Sequence, residues 1–63
     1  MSIRDQVAYL KSHILTLPYE TRIEADRIVL RWETNKQLSQ WQQVKLDRYI
    51  DEIITTLKER NRR

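Results

Sequence analysis

Apolar positions along this chain fall into three runs, the first and last with the four-and-three alternation of a helix that hides one side. The first is Ile3, Val7, Leu10, Ile14 and Leu17. The last is Leu46, Ile50, Ile53 and Leu57, widened by Tyr49 and Ile54. Residues three and four apart stack on one side of a helix, so each run predicts an amphipathic helix. Between them lies a less orderly segment, Tyr19 to Thr34. Here Tyr19, Ile23 and Leu30 form one apolar group and Ala25, Ile28, Val29 and Trp32 a second, with Arg22, Asp26 and Glu33 between the groups. The pattern predicts an all-α, small three-helix bundle, with helices at about 3–17, 19–34 and 39–60.

The boundaries carry their own chemistry. Ser2 can accept a hydrogen bond from an orphan backbone N–H at the first helix start, and Asp5 suits the positive end of the helix dipole. Pro18 stops the first helix, because it lacks an N–H and disfavours helical geometry in the residue before it. It is also suited to open the second helix, where Glu20 sits in the first turn. Asn35 is the expected stop of the second helix, since Asn tolerates a left-handed backbone in a chain with no Gly. Ser39 and Gln42 match the capping-box spacing, which starts the third helix. The short connection from Asn35 to Leu38 favours antiparallel neighbours.

The expected core is Val7, Leu10, Ile14, Leu17, Ile23, Leu30, Leu46, Ile50, Ile53 and Leu57. Leu15 lies off its stripe, and Gln6, Tyr9 and His13 form a partly wet flank. That core leaves apolar residues over. A helix apolar on so wide an arc should touch more than one neighbour. On the third helix, Trp41 and Val44 point roughly opposite to Leu46 and Ile53. Either a loop or another helix covers them, or they form a contact patch, a setting in which Trp is enriched. The candidate partner-binding residues are therefore Trp41, Val44, Trp32 and Val29.

Length sharpens this expectation. A single 63-residue domain of this size buries only about 60% of its unfolded surface and is marginal alone. Disulfides and thiolate metal sites are out, with no Cys, and His13 is the only His. Self-association is the remaining staple. We expect a homo-oligomer, with a dimer favoured, and another protein as partner. No cofactor and no metal are expected.

Charge changes the picture less than the total suggests. The net +3 comes from the C-terminal end, residues 58–63, because residues 1–57 hold eight Lys/Arg and eight Asp/Glu. An enzyme is not expected: there is no Gly for a phosphate loop, no Cys nucleophile and no Glu-x-x-His element. No apolar run approaches the ~18 residues of a membrane span, and the N-terminal pattern is amphipathic. A cytoplasmic protein is the expectation.

The main reading is a small non-enzymatic interaction module, a regulator, inhibitor or assembly factor acting through an apolar helical surface. The alternative is a DNA- or RNA-binding regulator that uses the second and third helices as a helix–turn–helix. Gln40, Gln43 and Arg48 would then meet base edges, Lys36 and Lys45 would meet phosphates, and Arg60, Arg62 and Arg63 would supply a basic tail. The run Asn35 to Ile50 resembles the helix–Leu-Ser-x-x-Gln–helix hairpins of small phage and plasmid proteins. That resemblance implies a helical hairpin and carries no function.

Overall fold

A computed structural model describes residues 2–61. Three α-helices make up the fold: α1 (Ile3–Ser12), α2 (Tyr19–Asn35) and α3 (Gln40–Arg60), with a single 3-10 turn, Ile14–Thr16, after α1. Each helix packs on the other two, and the turn packs on α2 and α3. Among the described residues there is no strand. The molecule measures 41 × 24 × 18 Å. Its long dimension reflects α3, whose 21 residues span about 31 Å.

Two of the helix starts follow from side chains the sequence marks. Ser2 Oγ accepts the Asp5 N–H at 3.2 Å. At α3 the capping box is complete: Ser39 Oγ accepts the Gln42 N–H at 3.1 Å, and Gln42 Oε1 accepts the Ser39 N–H at 3.0 Å. Two orphan donors are satisfied reciprocally, so α3 begins at a fixed residue.

Other boundaries differ from the expectation. The first helix ends at Ser12 and not at Leu17, and the backbone tightens into the 3-10 turn. The apolar stripe nevertheless continues. Residues three apart eclipse in a 3-10 turn, so Ile14 and Leu17 stay on the inner side. Leu17 is fully buried, and part-buried Ile14 packs against the core. Pro18 is the residue before α2, in extended geometry, where Tyr19 takes the first helical position. Asn35 is still helical. The left-handed residue is Lys36, with φ 54° and ψ 27°, and its N–H reaches Trp32 O at 2.8 Å.

The core comprises Val7, Leu10, Leu17, Ala25, Ile28, Val29, Leu46, Tyr49, Ile50 and Ile53. Ile14, Leu57, Trp32, Ile54, Tyr9, Ile3 and Leu38 pack around it, part-buried. Gln6, Tyr9 and His13 are also part-buried, as expected of a flank. Tyr9 and His13 stack with ring centroids 4.3 Å apart, and His13 Nδ1 lies 3.0 Å from Tyr9 O.

One correction matters for function. Ile23 and Leu30, expected in the core, are 46% and 64% exposed, while Val29, expected at the surface, is 7% exposed. Trp32, also expected at the surface, is part-buried against the core. At about 100° per residue the two apolar groups of α2 point in roughly opposite directions, and a bundle can enclose only one. The buried group contains Ala25, whose small side chain lets the neighbouring backbones come close.

Polar contacts line one edge of the buried group of α2. Arg22 donates from Nε to Leu17 O at 2.8 Å and from Nη2 to Leu15 O at 2.9 Å. Glu33 pairs with Lys11 of α1 at 2.8 Å. Both residues flank Val29, which lies on the same inward side. On α3, Asp47 Oδ1 accepts from Gln6 Nε2 at 2.6 Å, which fixes α1 against α3.

Candidate interaction surface

With one side of α2 enclosed, its other side is an apolar stripe facing outward. Tyr19 is 73% exposed, and Ile23 and Leu30 follow four and eleven residues later. On α3, Trp41 and Val44 are 60% and 61% exposed. These two are three apart, so they sit one above the other on the outer side of α3. The two helices meet at a cleft of about 390 Å3, in which Ile23 and Ile28 of α2 face Trp41 and Gln42 of α3. The stripe on α2 and the pair on α3 are therefore continuous across Ile23 and Trp41. Single exposed apolar side chains need no explanation, but a connected group of this kind does.

Charged residues edge the cleft. Glu20, Glu24 and Arg27 line it from α2. The Lys45 ammonium sits over the Trp41 ring, 5.2 Å from its centroid, and so covers part of the indole with a cation from its own chain. Glu24 is part-buried, and its Oε1 is sheltered with no hydrogen-bond partner among the described residues. It faces Tyr49, whose phenol burial first and the Glu24 carboxylate second push up to about 12. The inner wall of the cleft thus holds a carboxylate whose surroundings include a neutral phenol at ordinary pH.

Of the four residues expected to bind a partner, Trp41 and Val44 lie on this surface, while Val29 and Trp32 lie on the inner side of α2. Tyr19, Ile23 and Leu30 take the outer place. Their spacing was visible in the sequence as one of two groups, but periodicity alone does not say which group a fold encloses.

The residues of the nucleic-acid reading are dispersed. Gln40, Lys45 and Arg48 share the outer side of α3 with Trp41 and Val44 by helical position. Gln43 turns away and donates to Leu38 O at 3.2 Å. Lys36 lies in the connection, with its ammonium 6.0 Å from the Trp32 ring centroid. Arg60 is three turns beyond Arg48, about 18 Å along the axis. Arg62 and Arg63 lie outside the described residues. Among the described residues no three His, Asp or Glu side chains converge to hold a metal ion, and no helix is long and apolar enough to cross a membrane.

No protein-family model, curated protein or solved structure matched this chain.

Proposed function

We propose that this chain is a small non-enzymatic interaction module, a regulator, inhibitor or assembly factor that works by presenting the Tyr19–Ile23–Leu30 stripe and the Trp41–Val44 pair to another polypeptide. The observation that carries the reading is the second apolar side of α2. Folding encloses Ala25, Ile28 and Val29 and leaves Ile23 and Leu30 in water, continuous with Trp41. Exposed apolar area of this kind costs solubility, and binding returns it to a dry environment. A Trp at the join between α2 and α3 suits an interface anchor, since a large rigid side chain gives contact area at little entropic cost.

The test is site-specific photo-crosslinking in cells. A photoreactive residue placed at Trp41 or Val44 should give discrete protein adducts. The same residue at Ser12, exposed on α1, should not. Absence of adducts from all three positions, or the same adducts from Ser12, contradicts the reading.

A second reading has one observation in its favour: Gln40, Lys45 and Arg48 share the outer side of α3 with Trp41. Arg and Gln can contact base edges while Lys meets phosphate. Against it stands the charge balance of residues 1–57, which leaves no excess positive charge for the phosphate term that dominates such binding. Duplex DNA titrated at rising salt discriminates. Binding that weakens steeply with salt supports the nucleic-acid reading, and no binding at low salt removes it.

A further inference from the structure

We infer that the outer stripe of α2 is the two-fold contact of a homodimer, in which α2 of one copy packs antiparallel on α2 of a second copy. This rests on the reading of that stripe as an interaction surface and names its occupant. The order of charges along the stripe selects the arrangement. From the N-terminal end, Glu20, Glu24, Arg27 and Arg31 follow one another along the flank nearer α3. At about 100° per residue all four fall within one narrow sector beside Tyr19, Ile23 and Leu30. Among the described residues none of the four is in a salt bridge within its own chain. The first half of this flank is acidic and the second half basic.

A second copy laid antiparallel brings its basic half past the acidic half of the first. Glu20 then meets Arg31 of the second copy, while Glu24 stays turned into the cleft toward Tyr49. Symmetry makes the Glu20–Arg31 contact twice, so two ion pairs border one apolar seam. A parallel two-fold would turn this flank toward the opposite edge of the partner's stripe, where Arg22 and Glu33 are already bonded within their own chain, and would leave Glu20 and Arg31 without each other.

The same register also places the apolar side chains. Leu30 of the second copy arrives level with Thr21, in the gap on the outer side between Tyr19 and Ile23. A knob entering the space between two residues four apart is how helices pack in water. That gap adjoins the cleft of about 390 Å3 bounded by Ile23, Trp41 and Glu24. Leu30 is thus the knob and the Tyr19–Ile23 gap the hole, and each copy supplies one of each. Both lie on the same helix, about 14 Å apart along its axis, as a closed two-fold interface requires.

Sedimentation equilibrium on the full chain, with circular dichroism to check the fold of each variant, tests the proposal. The wild type should be a dimer at roughly 100 μM and dissociate on dilution. Leu30→Asp should be a monomer with unchanged helix content. Glu20→Arg and Arg31→Glu, each alone, should weaken the dimer on the order of tenfold or more, because attraction becomes repulsion at both symmetric pairs. An equimolar mixture of those two single variants should recover a heterodimer near wild-type strength, as should the Glu20→Arg/Arg31→Glu double variant as a homodimer. Recovery in the mixture reports the antiparallel pairing, which loss of folding cannot imitate. A wild type that stays monomeric at that concentration overturns the proposal, while crosslinks from Trp41 and Val44 to a different protein would leave the interaction reading standing. A dimer indifferent to Leu30→Asp places the contact elsewhere and overturns it too. A dimer weakened by the single variants but not recovered in their mixture overturns the antiparallel arrangement.

Discussion

The two apolar sides of α2 differ in ways that explain their different fates. The inner side combines Ala25, Ile28 and Val29, all buried, with Trp32 at its margin. Its edge carries Arg22 and Glu33, both bonded to other parts of the chain. The outer side combines Tyr19, Ile23 and Leu30, larger on average, and its flanking charges are in no salt bridge among the described residues. A small residue and tethered edges draw a helix face into a bundle. Bulky residues beside charges that run from acidic to basic along the helix make a face that suits a separate molecule. Apolar content alone does not distinguish them, because the two sides carry nearly the same number of apolar side chains.

Substitutions on the two sides should separate by several kcal/mol. Ile28→Ala removes a fully buried side chain, and such truncations cost about 2–5 kcal/mol through lost burial and the cavity left behind. Urea unfolding of a dilute sample measures it. A loss below about 1 kcal/mol would show that the inner side is not the core it is taken to be.

The edge between the two sides should respond to alkali. The Tyr49 phenol, pushed up to about 12 by burial and by Glu24, ionises more readily once the chain unfolds. A group held protonated by folding contributes stability that is complete below its unfolded value near 10 and lost as pH rises toward 12. Roughly 2 kcal/mol should disappear across that window. Tyr49→Phe should flatten this part of the stability profile. Wild type and variant falling in parallel between pH 10 and 12 would contradict the assignment.

The end of α2 offers a gain in place of a loss. Lys36 holds a left-handed backbone, with φ 54°, at a cost of about 1 kcal/mol relative to Gly. Lys36→Gly also removes the cation near the Trp32 ring, an exposed contact of about 0.5 kcal/mol. The balance predicts a stabilisation of about 0.5 kcal/mol, read as a raised urea midpoint. A lowered midpoint would mean that the Lys36–Trp32 contact outweighs the backbone strain.

Smallest of all should be Leu30→Ala on the outer side. In dilute, monomeric protein it should change unfolding stability by less than about 0.5 kcal/mol. A Leu that looks like a core residue by sequence would then be silent in folding.

Much of this fold could be read in the chain before any coordinates. The capping box of Ser39 and Gln42 and the cap at Ser2 follow from local chemistry, and local chemistry prevailed. The stripes of α1 and α3 each have one apolar side, so enclosing it was the only solution. Leu10, Leu46 and Ile53 were placed correctly for that reason. Ile23, Leu30 and Val29 were not, because α2 has two apolar sides and its periodicity fits either orientation. The orientation it takes goes with contacts to other elements, the Glu33 pairing with Lys11 of α1 and the Arg22 bonds to the turn carbonyls. The early end of α1 was hidden by a 3-10 turn that keeps Ile14 and Leu17 in line. At the candidate surface, Trp41 and Val44 were legible as residues on the wrong side of their helix. The join between Trp41 and Ile23 was not, since it depends on how α2 and α3 meet.

The most direct test replaces both aliphatic residues of the outer stripe, Ile23→Lys with Leu30→Lys, and measures urea unfolding at sub-micromolar concentration. A cooperative transition within about 1 kcal/mol of wild type is predicted, since exposed positions tolerate such changes. A loss of several kcal/mol, comparable to that of Ile28→Ala, would mean that the stripe belongs to the interior and that α2 has no side to spare.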